Sequence, residues 1–173
     1  MRLLALIGFV GIVVAIAAAV YFFGGFYNVA GTQADPPPVA WALVKVRMAS
    51  VDRHATDRPP AGYDSDANVQ AGARAFAARG CTNCHGGPGV DWAKFSEGLR
   101  PDPPDLKEIV PNREPRQLFW VIKNGINMTG MPSFGAIEVP DAELWSIVAF
   151  LKKLPTVSEA DFKTWSTAPA PAK

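Results

Sequence analysis

Cys81-Thr82-Asn83-Cys84-His85 constrains this chain more than any other stretch, because so few chemistries use two thiols and an imidazole so close together. The run has the C-x-x-C-H spacing of a covalent c-type haem attachment, in which both sulfurs add to the porphyrin vinyl groups and the histidine ligates iron. No other cysteine occurs among the 173 residues, so one haem takes both thiols and none is left for a disulfide. Two rival chemistries fare worse. A structural zinc site needs two further Cys or His ligands, and the chain offers only His85, too close to the pair, and His54. A thioredoxin-type pair belongs in a βαβ pattern, and no Val- and Ile-rich strands flank this one. One covalently attached haem c is the expected cofactor, and electron transfer is the function it implies.

The amino-terminal end carries a second constraint. Leu3 to Phe23 is a run of 21 residues without a charge, about the ~20 needed to cross a bilayer core as a helix. A secretory signal has a shorter apolar stretch of about 7–15 residues before small residues at its cleavage site. Ala15-Ile16-Ala17 and Ala17-Ala18-Ala19 resemble such a site, but the apolar run continues beyond them through Val20, Tyr21, Phe22 and Phe23. With Phe26 and Tyr27 these aromatics suit the far membrane interface, so residues 1–27 are expected to be an uncleaved anchor. Arg2 precedes the span and the next cation after it is Lys45, which places the N-terminus in the cytoplasm. The rest of the chain is then expected on the periplasmic side of the cytoplasmic membrane, the side on which haem of this kind is attached.

Seventeen Lys and Arg against 16 Asp and Glu leave a formal charge of +1. No broad basic face is available, and nucleic acid is not an expected partner. Residues 28–65 are expected to be a linker. They hold the stiff Asp35-Pro36-Pro37-Pro38, an amphipathic helix over about 39–54 with Trp41, Val44, Met48 and Val51 on one face, and a Pro- and Gly-containing stretch up to Asp64. That helix either packs on the domain that follows or lies on a membrane or partner subunit.

The compact domain is expected over 66–155. It is small for a self-sufficient core, but a haem supplies a large apolar body to pack around. Three helices are predicted, over Asn68–Arg79, Glu114–Asn124 and Pro140–Leu154. The last opens on Pro140, Asp141 and Glu143 and closes with Lys152 and Lys153, charges that complement the helix dipole. Gly86 to Pro111, rich in Gly and Pro, is expected to drape around the haem, and 156–173, ending in Ala-Pro repeats, to be a flexible tail.

His85 is the candidate proximal iron ligand, and its second ring nitrogen needs an acceptor, for which the Pro88 carbonyl in the Gly86–Gly89 loop is the candidate. A methionine thioether opposite a histidine gives a relatively high reduction potential in cytochromes c. Of the four methionines, Met1 lies in the membrane segment and Met48 on a helix outside the compact domain. Met128 and Met131 remain. Gly130 before Met131 permits close approach and Pro132 after it fixes the chain, which favours Met131 and leaves Met128 as the alternative. Ordinary packing is the expected role of Trp92, Trp120 and Trp145.

From about Asn68 to Pro155 the chain resembles the class I monohaem cytochromes c. The likeness rests on Gly72 and Phe76, on Cys81 to His85, on Pro103-Pro104-Asp105-Leu106, on Asn124-Gly125-Ile126 through Gly130-Met131-Pro132, and on Leu144-Trp145 with Phe150-Leu151. It implies an all-α fold around one haem, first and last helices crossing where Gly72 allows contact, with Cys81 and Cys84 as thioether attachments and His85 and Met131 as axial ligands. It says little about partners, because carriers, oxidase domains and dehydrogenase subunits share this fold.

The leading expectation is a membrane-anchored one-electron carrier, or an electron-transfer subunit of a respiratory-type membrane complex. Its redox partners would be a membrane oxidase, a quinol-oxidising complex or a dehydrogenase. No catalytic residue and no small-molecule substrate at iron are expected. The alternative is a haem-based gas sensor or peroxidase-like enzyme with an open iron site, in which His54 would serve as distal ligand or acid.

Overall fold

The computed structural model describes residues 1–168, and every regular element among them is helical. The chain divides into two units, Met1–Ala34 and Asp35–Lys173. The first is a single helix, α1 (Arg2–Phe23), of 22 residues. At 1.5 Å per residue it is about 33 Å long, enough for the ~30 Å hydrocarbon core of a bilayer. None of its residues is buried in protein. Tyr21 and Phe22 in its last turn cluster with Tyr27 just beyond it, with ring centroids 5.2 to 6.2 Å apart.

The second unit contains α2 (Pro37–His54), α3 (Asp66–Ala78), the single turn α4 (Thr82–His85), α5 (Leu106–Ile109), α6 (Pro115–Asn124), α7 (Asp141–Lys153) and α8 (Glu159–Thr167). Local chemistry sets their ends. Ser65 caps α3, accepting from the Asn68 N–H. α6 opens on a capping box in which the Glu114 N–H donates to Gln117 Oε1 at 2.8 Å, so two otherwise unpaired donors are satisfied.

α3 and α7 form the central crossing. A Cβ added at Gly72 would stand 1.9 Å from the Ser146 carbonyl oxygen and 2.9 Å from Phe150 Cβ. Only hydrogen fits between the two backbones. Across the crossing, Arg79 at the end of α3 donates to both carboxylate oxygens of Glu143 in the first turn of α7, at 2.7 and 3.1 Å. Phe76, Phe119, Leu144, Val148 and Phe150 fill the core, and Phe119 stacks on Trp145 with centroids 4.1 Å apart.

Two elements depart from expectation. The stretch expected to be a flexible tail instead folds over Glu159–Thr167 as α8; positions 169–173 lie outside the described residues. Ser158 caps it, accepting from the Asp161 N–H at 3.1 Å. Phe162 is 2% exposed and stacks on Phe150 with centroids 5.5 Å apart. The Ala-Pro composition of the last residues had concealed a helix start signal and a core aromatic just upstream.

The second departure concerns α2, whose burial divides along its axis rather than around it. Val51 is buried, whereas Trp41 and Val44 on the same predicted face are exposed. The carboxy-terminal end is held on α6. Gln117 Nε2 donates to Asp52 Oδ1, Arg116 donates to the Ala55 carbonyl at 3.0 Å, and the His54 ring lies nearly parallel to Trp120.

Candidate haem site

Gly80 ends α3 with a positive φ of 75°, a conformation that favours glycine. It turns the chain into α4, where the His85 N–H donates to the Cys81 carbonyl at 3.0 Å. Cys81 and Cys84 are three residues apart on this turn and therefore share a face. Cys81 packs half-buried against the core, and burial pushes its thiol up to about 11. Gly86, again with positive φ, reverses the chain after His85, and the loop is pinned where the Ala93 N–H donates to the Asn83 carbonyl at 2.8 Å.

His85 Nδ1 lies 3.1 Å from the Pro104 carbonyl oxygen. A carbonyl only accepts, so Nδ1 carries the proton and Nε2 keeps a free lone pair. Burial lowers the His85 pKa, with the Pro104 hydrogen bond opposing, so the ring is neutral at pH 7 and able to ligate a metal. The expected acceptor was Pro88; the structure supplies Pro104 instead. Pro88 follows His85 closely in the chain, but the acceptor comes from the far end of the intervening loop, 19 residues away. The Pro103-Pro104 pair was the available signal.

Cys84 and His85 open onto a cavity of about 520 Å³. Val90, Trp92, Pro103, Leu106 and Leu154 give it apolar walls, and Arg100 and Lys107 contribute cations. Arg100 also pairs with Asp102. Neither Cys81 nor Met131 lines this cavity. Met131 is half-buried against the core, as Cys81 is.

The Met131 backbone is fixed by its own loop. Its N–H donates to Thr129 Oγ1 at 3.1 Å, and its carbonyl accepts from the Ile126 N–H at 3.1 Å. Gly125 lets this segment lie on the end of α6, since a Cβ there would stand 2.8 Å from the Met131 carbonyl oxygen. Met128 differs. It has a positive φ of 58° and is 91% exposed. His54 does not line the cavity; its Nδ1 lies 2.8 Å from the Ser50 carbonyl oxygen.

The donor chemistry suits haem c. Two thiols on one turn, a neutral imidazole with Nε2 free and an adjoining cavity with both apolar and charged walls suit covalent attachment and iron ligation. The model of the family described as cytochrome C oxidase, cbb3-type, subunit III matches residues 67–151. This is the domain of a monohaem c-type cytochrome. It carries covalently attached haem c and serves as an electron carrier. The matched stretch is just under half of the cytochrome chain and ends within α7, so α1, α2 and α8 all lie outside it. No curated protein and no solved structure matches the chain.

Proposed function

We propose that this cytochrome is a membrane-anchored one-electron carrier that delivers electrons to, or within, a membrane oxidase complex. α1 would be its single span and the haem domain would lie on the periplasmic side. The observation that carries the reading is the His85 imidazole, neutral and oriented by Pro104 so that Nε2 is left for iron. Cys81 and Cys84 would hold the haem as thioethers, and His85 and Met131 would ligate its iron. The exposure of Met128 supports Met131 for that place. Its oxidase partner is of the kind named by the family description.

When bound, haem c supplies the one-electron Fe(II)/Fe(III) couple. The chain's own residues set the conditions for it. The Pro104 carbonyl fixes the tautomer and raises the basicity of the His85 ring. Thr129 and Ile126 hold the Met131 backbone by hydrogen bonds, so the thioether is presented by an ordered segment. Leu106 and Leu154, both buried, give the cavity an apolar floor, and apolar surroundings favour the less charged, reduced state.

Absorption spectra of the oxidised wild type and Met131→Ala test the ligation. The wild type is expected to show the weak far-red band of sulfur-ligated ferric haem, and the variant to lose it and bind CO rapidly when reduced. A band that persists in Met131→Ala but vanishes in Met128→Ala would refute the assignment. Co-purification in mild detergent distinguishes a fixed subunit, which brings oxidase with it, from a carrier, which isolates alone.

A further inference from the structure

We propose that the first half of α2 is a membrane-docking element, taken up by the headgroup layer of a bilayer containing anionic phospholipid. The proposal rests on the anchored reading above and extends it to the posture of the haem domain.

Exposure is the first ground. Trp41, Leu43, Val44 and Val46 are 65, 54, 44 and 68% exposed. At 100° per residue these positions point in several directions, so the segment is apolar nearly all round. A helix with that character belongs in an apolar or interfacial environment rather than in water. Nor is it awaiting a place on its own domain, since α6 already holds the other end through Asp52 and Ala55, and Val51 there is buried.

The backbone supplies the second ground. The first four N–H groups of a helix ordinarily lack partners, and an unpaired donor costs several kcal/mol in a lipid environment. α2 begins with Pro37 and Pro38, which have no N–H, and the Val39 and Ala40 N–H groups both donate to the Pro36 carbonyl, at 2.9 and 3.0 Å. No donor is left over. This helix end can leave water without breaking a backbone hydrogen bond.

Charge selects the occupant. No charged residue occurs from Pro36 to Val44; Lys45 and Arg47 follow, and the next acid is Asp52. An apolar tip followed by two cations matches lipid below an anionic headgroup layer, and Trp41 is the residue type that prefers that boundary. Only residues 24–36 separate this helix from α1, so an anchored chain holds it at high effective concentration near the surface.

The test uses the full haem-loaded chain in nanodiscs of mixed zwitterionic and anionic lipid. Leu43→Cys introduces the one thiol that haem does not occupy, for a nitroxide label, with Thr164→Cys on the exposed side of α8 as the reference position. Power saturation is expected to find the label at 43 reached by oxygen, shielded from a water-soluble nickel complex and about 5–10 Å below the headgroups, while 164 stays aqueous. Lys45→Gln with Arg47→Gln is expected to weaken the docked state roughly thirtyfold, at about 1 kcal/mol per cation. Equal nickel access at 43 and 164 in chains retained by the discs would overturn the proposal and leave the anchor standing. Shielding that appears only when another membrane protein is added would overturn it in favour of a protein partner. A chain that fails to stay with the discs would overturn both this proposal and the anchored reading.

Discussion

Replacing Phe162 by alanine is expected to destabilise the cytochrome by about 3–5 kcal/mol. The ring is 2% exposed and lies between separate parts of the chain. Its centroid is 5.5 Å from that of Phe150 on α7 and 6.5 Å from that of Phe76 on α3, and a Cβ added at Gly87, beside the attachment turn, would stand 3.1 Å from its Cε1. Those neighbours are fixed by the α3–α7 crossing and by the loop after α4, so the hole left by the ring cannot close from one side. That places the cost toward the upper part of the range. Urea unfolding of the haem-loaded full chain in mild detergent, followed by haem-quenched tryptophan emission, measures it. With a slope of about 1–3 kcal/mol per M, the midpoint should fall by roughly 2 M. Phe162→Leu keeps most of the volume and should cost about 1 kcal/mol. A loss below about 1 kcal/mol for Phe162→Ala would refute the assignment of α8 to the core and restore the flexible tail.

Gly72→Ala sets a methyl group against the Ser146 carbonyl and should cost about 3 kcal/mol; an unchanged thermal midpoint would contradict the close crossing. Asp52→Ala removes the acceptor of Gln117 Nε2 and should loosen α2 on α6, seen as faster amide exchange over 48–54 with the haem spectrum unchanged. Glu114 gives a pH dependence. The Arg116 guanidinium holds its carboxyl below the ordinary carboxylate value. Its stabilisation is therefore fully present above the unfolded value, about 4.3, and disappears as pH falls through the lower folded value. Glu114→Gln should make the fall in urea midpoint between about pH 5 and 3 shallower, and an identical slope would rule the pair out as a contributor.

The three central helices of the domain were legible because each carries an apolar stripe at the 3.6 period, and the role of Gly72 at the crossing because the resemblance to class I cytochromes c implied it. The attachment turn was legible from five consecutive residues. What escaped was set by distance along the chain or by masking composition. Pro104 reaches His85 across a long loop, and no local spacing announces which carbonyl will arrive. α8 was hidden by its Ala-Pro neighbours, although Ser158, Asp161 and Phe162 are a start signal followed by a core residue. The division of α2 lay beyond periodicity, which assigns a face but does not say how far along the axis a partner extends.

The half-burial of Cys81 has a bearing on how the cytochrome is made. At about 11, its thiol would be ionised roughly a hundredfold less at pH 7 than an unburied cysteine at 9.0. The nucleophile proposed to join the vinyl group is thus muted by the very packing that the finished fold requires. Attachment should then precede closure of α3 on α7, while the sulfur is still in water. We predict that unfolded apo-chain couples to reduced haem faster than apo-chain refolded beforehand, and equal rates would show that the sulfur is reachable in the closed fold. The packing of Cys81 thus sets an expected order for maturation, with attachment before burial.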